Sequence, residues 1–255
     1  MVNSKSKKEY VHSTQPYVSK WRIFQRLYFI DPCIRVLSRR EGSVLDLGCG
    51  GGAVTRTLAR RLPNHKFYGI DISPNAIKKA KEIPSNINFR QANAANLPYP
   101  RSYFSAVISL EVLEHLQNVR KVLEEVNRVL KTGGYFYFST PLEGDSATLY
   151  GLLRNNFGYD PHLPLYGHVQ KFSYNSLVDK LSKAGFGVLE TTYCAHFLNQ
   201  LYSLCLKFIE KRMPPKLRTM FIPVSAMASL VSGIESFLLR KARGGLNVQI
   251  ACRKL

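Results

Sequence analysis

Val44-Leu45-Asp46-Leu47-Gly48-Cys49-Gly50-Gly51-Gly52 is the stretch that settles the fold of this 255-residue chain. Val44 to Leu47 is a short apolar run ending in glycines, the pattern of a buried strand entering a tight turn. From Thr55 to Leu62 the period becomes helical, with Val54, Leu58 and Leu62 on one face. Strand, glycine turn and helix in that order make a ligand cradle. Glycine lets the backbone come close, and the first N–H groups of the helix are free to bond. Lys66-Phe67-Tyr68-Gly69-Ile70-Asp71 is a second short strand. It ends on a carboxylate about twenty residues past the glycines, where doubly wound folds hold ribose hydroxyls.

The glycine spacing separates two kinds of cradle. A dinucleotide fingerprint reads G-x-G-x-x-G, whereas here the glycines fall at 48, 50, 51 and 52, Ala53 follows and Asp46 precedes them. This D-x-G-x-G-x-G order resembles motif I of the class I S-adenosylmethionine-dependent methyltransferases, in their small-molecule, type 11 or ubiquinone-pathway-like branch. The resemblance runs in register over roughly residues 40 to 192. It implies an α/β fold, a doubly wound, Rossmann-like, seven-stranded and mostly parallel sheet. It also implies S-adenosyl-L-methionine bound along Asp46, Gly48, Cys49, Gly50, Gly52, Asp71, Ile72, Asn93, Ala94 and Leu110, with Asp71 on the ribose and Ile72 beside the adenine. The loop Gln91 to Pro98 is where the family usually holds the adenine amino group with an Asp. This chain has Asn93 there, which can accept through its carbonyl oxygen but gives up the charge-assisted bond. Phe104 to Ser109 matches the fourth strand, and Leu130-Lys131-Thr132-Gly133-Gly134 the turn into the fifth.

Methyl transfer from a sulfonium requires in-line placement and exclusion of water more than any one side chain. His115 and His168 are the candidate catalytic residues. Ser109-Leu110-Glu111-Val112 stands where enzymes methylating exocyclic base amines carry Asx-Pro-Pro-aromatic, which sets that class aside. In Glu111-Val112-Leu113-Glu114-His115, positions i, i+3 and i+4 share a helix face. Similar E-x-x-E-H sequences occur in ubiquinone-pathway O-methyltransferases and in metal-dependent small-RNA 2′-O-methyltransferases. By that resemblance Glu111, Glu114, His115 and His168 would hold Mg²⁺ or Mn²⁺. Other members of the branch carry such a sequence without a metal, Glu111 lining the cofactor pocket and His115 packing nearby, so both readings stay open. Upstream of the first strand, Tyr10 and Tyr17 suit either a cover over the cofactor or plain surface.

The net charge is +19, and its distribution is uneven. Residues 1–40 carry +7 and residues 196–255 carry +8, leaving +4 for the 155 residues between them. Basic flanks point to an anionic membrane surface or to nucleic acid, or are a solvated face with no partner. No RNA-binding module motif is present, which makes nucleic acid the weaker partner. Five scattered cysteines without C-x-x-C spacing fit a reducing compartment, and a polar, basic start without an apolar segment lacks the form of a secretory signal. The expected location is the cytoplasm, with peripheral contact at the membrane's cytoplasmic face.

Three regions follow: 1–40, a basic helical segment; 41–195 with 246–255, the cofactor-binding domain; and 196–245, an apolar, basic helical insertion between the last two strands. Trp21 to Leu37 reads as two short helices broken at Asp31-Pro32. Gly144 to Gln170 lacks clear periodicity and holds Tyr150, Phe157, Tyr159, His162, Tyr166 and His168, which suits a substrate lid. Ser173 is placed to cap a helix with Leu177, Val178 and Leu181 inward, stopped at Gly185. Phe186 to Cys194 and Asn247 to Arg253 are the sixth and seventh strands, the sixth expected parallel to the first. In the insertion, Val224, Met227, Val231, Ile234 and Leu238 form an apolar stripe opposite Ser225, Ser229, Ser232 and Ser236. Phe197, Leu201, Leu204, Cys205 and Phe208 make a similar stripe. With Lys211, Arg212, Lys216, Arg218, Arg240, Lys241 and Arg243 nearby, the insertion reads as a membrane-facing lid over the substrate entrance. Pro223, Gly233 and Glu235 argue against a span. The alternative is that the stripes pack on each other or in a dimer. The expected function is methylation, at O or C, of a small lipophilic acceptor. The alternatives are an RNA methyltransferase gripping phosphates with its flanks, and a non-catalytic cofactor-binding subunit that docks a partner protein.

Overall fold

The computed structural model describes residues 30–158, 168–212, 230–231 and 233–255, with the backbone alone for 206–212. Tyr10, Tyr17, the first of the two N-terminal helices, Tyr159, His162, Tyr166, the Phe208 side chain, Ser232 and the serine-faced helix before residue 230 lie outside them. Chain order is α1 (Asp31–Leu37), β1 (Ser43–Leu47), α2 (Ala53–Arg61), β2 (Lys66–Asp71), α3 (Pro74–Glu82), β3 (Asn88–Gln91), β4 (Phe104–Leu110), a 3₁₀ turn (Leu113–His115) and α4 (Val119–Val129). Then come β5 (Leu130–Pro141), α5 (Leu149–Phe157), α6 (Tyr174–Lys183), β6 (Phe186–Cys194), α7 (Phe197–Arg212) and β7 (Asn247–Lys254).

The seven strands stand in the order β3-β2-β1-β4-β5-β7-β6. All neighbours pair in parallel except β7, which is antiparallel to both β5 and β6. Strand β6 therefore runs in the direction of β1, as expected. The order reverses between β1 and β4, and their carboxyl ends open the crevice where open α/β sheets bind ligands. Burial explains why these strands read as apolar runs: every residue of β4 before Leu110 is buried, as is β1 after Ser43. One face of the sheet packs on Val122, Leu123 and Val126 of α4 and Leu177 and Leu181 of α6. The other packs on Cys33, Val36 and Leu37 of α1 and Leu58 of α2.

Four readings need correction. Residues 149–157 form α5 rather than loop, with the Thr148 side chain accepting from Gly151 N–H and Gly158 in the left-handed region at φ 64°. Only Tyr150 and Gly151 of this helix are buried, so no apolar stripe marks it. Strand β5 starts at Leu130, ahead of the expected turn, because Leu130 already pairs with Phe104 before a bulge. Glu111, Glu114 and His115 do not share an α-helix, since the backbone takes a single 3₁₀ turn at 113–115 and Glu111 precedes it at φ 56°. Val178 is half-buried where Leu177 and Leu181 are fully buried.

Candidate active site

The cradle forms at the carboxyl end of β1. Gly48, Gly50 and Gly52 all take positive φ, at 80°, 52° and 76°, which side chains tolerate poorly. A Cβ at Gly48 would collide with Val112, and one at Gly52 with Phe89, whereas one at Gly50 would meet open space. The loop is thus pressed against the Glu111–His115 segment on one side and is open at Gly50. Asp71 holds its shape: one carboxylate oxygen accepts from Gly50 N–H at 2.9 Å and the other from Ser73 N–H at 2.9 Å. Ile72, next in the chain, is 69% exposed. Asn93 is exposed, its Oδ1 accepting from Ala95 N–H at 2.9 Å; Ala94, next in the chain, and Leu110, at the carboxyl end of β4, are half-buried.

Asp46 and Cys49 sit below this opening rather than on it. Asp46 is buried and accepts from the Thr55 hydroxyl at 2.6 Å, tying β1 to the first turn of α2. Burial raises its carboxyl to about 7; the Thr55 bond opposes that shift and nearby Asp71 adds to it. Cys49 is buried against Gly69. All five cysteines are free thiols.

Beside the cradle, at the carboxyl ends of β4 and β5, lies a cluster of carboxylates and imidazoles. Hydroxyls of β5 grip two glutamates: Ser139 donates to Glu111 at 2.7 Å and Thr140 to Glu114 at 3.0 Å. His168 arrives from far along the chain because Val169 and Gln170 both donate backbone N–H bonds to the Glu114 carbonyl, at 2.9 and 3.0 Å. The Gln170 amide adds a bond to the Leu116 carbonyl at 3.0 Å. His115 and His168 then meet edge to face with ring centroids 4.9 Å apart. Ligand atoms of Glu114, His115 and His168 lie within 4.8 Å of one another. Glu114 is 1% exposed, and its Oε1 has no hydrogen-bond partner. Burial first, and then neighbouring Glu111, push its carboxyl up to about 9. Glu111 also rises through burial. Of the four residues expected around an ion, three converge; the Glu111 carboxylate instead faces Ser139 and, at 3.4 Å, the Asn247 amide. Sequence reasoning missed Glu143, whose Oε1 is 2.7 Å from His168 Nδ1. A lone Glu after a strand carries no motif; only the β5 register points to it.

The insertion is fixed by polar side chains turned inward. Gln200 is fully buried; it accepts from Leu149 N–H at 2.8 Å and donates to the Ala195 and Gly244 carbonyls at 2.8 and 2.9 Å. Ser236, buried, accepts from Ala195 N–H at 3.1 Å, and Glu235 accepts from Leu198 N–H at the start of α7. The large apolar side chains point the other way: Phe237 is 60% and Leu238 71% exposed, with Phe197, Leu201, Val231 and Ile234 also exposed. Arg240 stacks its guanidinium over Phe237 at 4.6 Å. No helix among the described residues is long and apolar enough to cross a membrane.

Residues 45–138 match the family described as a methyltransferase domain. The chain is 34% identical over 133 residues to a ubiquinone biosynthesis O-methyltransferase of Nitrosomonas europaea, covering 50% of this chain and 55% of that one. It is 32% identical over 101 residues to ajmaline N-methyltransferase of Rauvolfia serpentina, covering 37% and 34%. It thus spans about half the length of the ubiquinone-pathway relatives it matches. Among solved structures, the cyclase SpnF superposes at TM-score 0.63 with 19% identity, over 94% of this chain and 85% of that one. Geranyl diphosphate methyltransferase superposes at 0.56 with 16% identity, over 88% and 77%. Those two likenesses concern the fold alone. The glycine cradle, the sheet order and the matched segment together show a methyltransferase domain with the fold of the class I, S-adenosylmethionine-dependent kind.

Proposed function

We propose that this chain methylates an oxygen or carbon of a small, lipophilic acceptor that it takes from a membrane surface. The observation that carries this reading is the placement of the Glu111–His168 cluster directly against the open glycine loop, through Val112 on Gly48. When bound, S-adenosylmethionine supplies an electrophilic methyl on sulfur. In this reading Gly48, Gly50 and Gly52 admit it, Asp71 takes the ribose hydroxyls, Ile72 covers the adenine, and Asn93, Ala94 and Leu110 line the rest. Asp46 and Cys49 act through the loop that they hold up. His115 and His168, on the acceptor side, are placed to take a hydroxyl proton. Incubation with methyl-labelled cofactor and an extracted panel of lipids and quinone-like phenols tests this. Label in an organic-phase product is expected. Label in RNA, with affinity falling steeply with salt, would favour the nucleic-acid alternative; cofactor binding without any transfer would favour the docking subunit.

Glu114, His115 and His168 also fit a divalent ion, because a buried carboxylate oxygen that makes no hydrogen bond faces two imidazoles, His115 Nε2 lying 4.0 Å from it. Two raised carboxyls in one buried cluster are what a compensating cation would relieve. Mixed O/N ligation suits Mn²⁺ or Mg²⁺. Exhaustive chelation should abolish turnover, with Mn²⁺ restoring it; unchanged activity after chelation ends this reading. Membrane contact is supported by the outward apolar faces of α7 and of residues 230–239, flanked by Arg240, Lys241 and Arg243.

A further inference from the structure

Glu143 follows the carboxyl end of β5 by two residues and is 4% exposed. Its surroundings are tightly fixed. Gly144 N–H donates to the Phe172 carbonyl at 2.8 Å, and any Cβ at Gly144 would run into the Lys171 and Phe172 backbone. The exit of β5 is therefore pressed onto the segment that carries His168. On its other side that segment is bonded to the Glu114 carbonyl through Val169 and Gln170. With the backbone held from both directions, the 2.7 Å contact between Glu143 Oε1 and His168 Nδ1 decides how the imidazole distributes its proton. A neutral imidazole carries one N–H. A carboxylate beside Nδ1 draws that proton to Nδ1 and leaves the lone pair on Nε2.

We propose that Glu143 is a positioning residue that fixes His168 as the Nδ1–H tautomer, so that Nε2 is the nitrogen this ring offers to the Glu114–His115–His168 cluster. The consequence for cation affinity rests on the reading of that cluster as a divalent-ion site, and the tautomer does not. Carboxylates behind metal-binding imidazoles typically change affinity by about 10- to 100-fold.

Two measurements on the full chain separate these parts. Long-range ¹H–¹⁵N correlation spectra of histidine-labelled protein, taken where imidazoles are neutral and with His168→Asn to assign the signal, read the tautomer. The wild type should show Nδ1–H at His168. Glu143→Ala should release the ring towards Nε2–H, and Glu143→Gln, whose amide oxygen still accepts, should keep Nδ1–H. Titration with Mn²⁺, followed by electron paramagnetic resonance, should show binding weakened about 10- to 100-fold in Glu143→Ala and less in Glu143→Gln. Nε2–H in the wild type, or an unchanged tautomer in Glu143→Ala, overturns the proposal. Equal Mn²⁺ affinity in wild type and Glu143→Ala overturns its consequence for the cation. A tautomer that follows Glu143 in a chain that binds no Mn²⁺ upholds the positioning role and removes the cation reading instead. If Glu143→Ala does not fold, the tautomer in wild type and in Glu143→Gln decides, with Nε2–H in either one overturning the proposal.

Discussion

Asp46 shows how a single residue can be read correctly as part of a motif and still act differently from its neighbours in it. It lies under the glycine loop, with Thr55 as its partner and its carboxyl raised to about 7. The folded chain holds a proton there that the unfolded chain releases near the ordinary value of 3.8. Stability from this group is therefore greatest below that value, falls as pH rises towards 7, and stays low above it. The penalty above pH 7 is on the order of 4 kcal/mol. Asp46→Asn, whose carbonyl can still accept from Thr55, should be more stable than wild type at pH 8, and the gain should shrink at pH 5.5. Melting curves at the two pH values check this; an equal difference at both contradicts it. The sequence names Asp46 through the glycine order, but its burial follows from the β1 pairings with β2 and β4, which no local pattern encodes. The same holds for Glu143, which no local pattern marks and whose partner His168 is brought to it by the fold.

At the scale of elements, the strongest local signals agree with the structure. Ser173 caps α6, its hydroxyl accepting from Ser176 N–H while the Ser176 side chain accepts from Ser173 N–H. Ser173→Ala should cost about 1 kcal/mol, read by chemical denaturation; no loss would mean that tertiary packing alone holds this helix. Gly48→Ala should be worse, since it forces a Cβ into Val112 at φ 80°. A cost of about 2–4 kcal/mol is expected from the backbone and overpacking together, with weakened cofactor binding in whatever fraction folds. Strands β1, β2 and β6 are legible because burial on both faces leaves apolar runs, or because turn residues bound them. Helix α5 is not, although Thr148 and Gly158 are ordinary start and stop signals. With two buried positions it has no stripe to find. The 3₁₀ turn at 113–115 is also illegible: E-x-x-E-H fits one face of an α-helix, but its backbone is set by where Ser139 and Thr140 hold the glutamates.

For the whole molecule, the mostly parallel sheet and the direction of β6 were accessible from the succession of elements, whereas the placing of β7 between β5 and β6, antiparallel to both, comes from the structure. The direction of β6 places α7 at the edge where the cradle opens. Which face of the insertion points inward was not accessible. Serine and glutamine face the protein because they bond the backbone at Ala195, a residue held at φ 57° where β6 ends. The membrane contact proposed above predicts that the wild type floats with anionic vesicles at low salt, and that replacing the exposed Phe237 and Leu238 with Asp leaves the fold intact and removes this binding; a wild type that does not float ends that proposal. Flotation that persists in this double variant would place the membrane contact elsewhere. Calorimetric titration of the full chain with S-adenosylmethionine reads out whether the β1 glycine loop and Asp71 hold that cofactor. Saturable binding is predicted for the wild type, with about 2–3 kcal/mol lost in Asp71→Ala as two charge-assisted bonds disappear. No binding by the folded wild type, or undiminished affinity in Asp71→Ala, would contradict this placement.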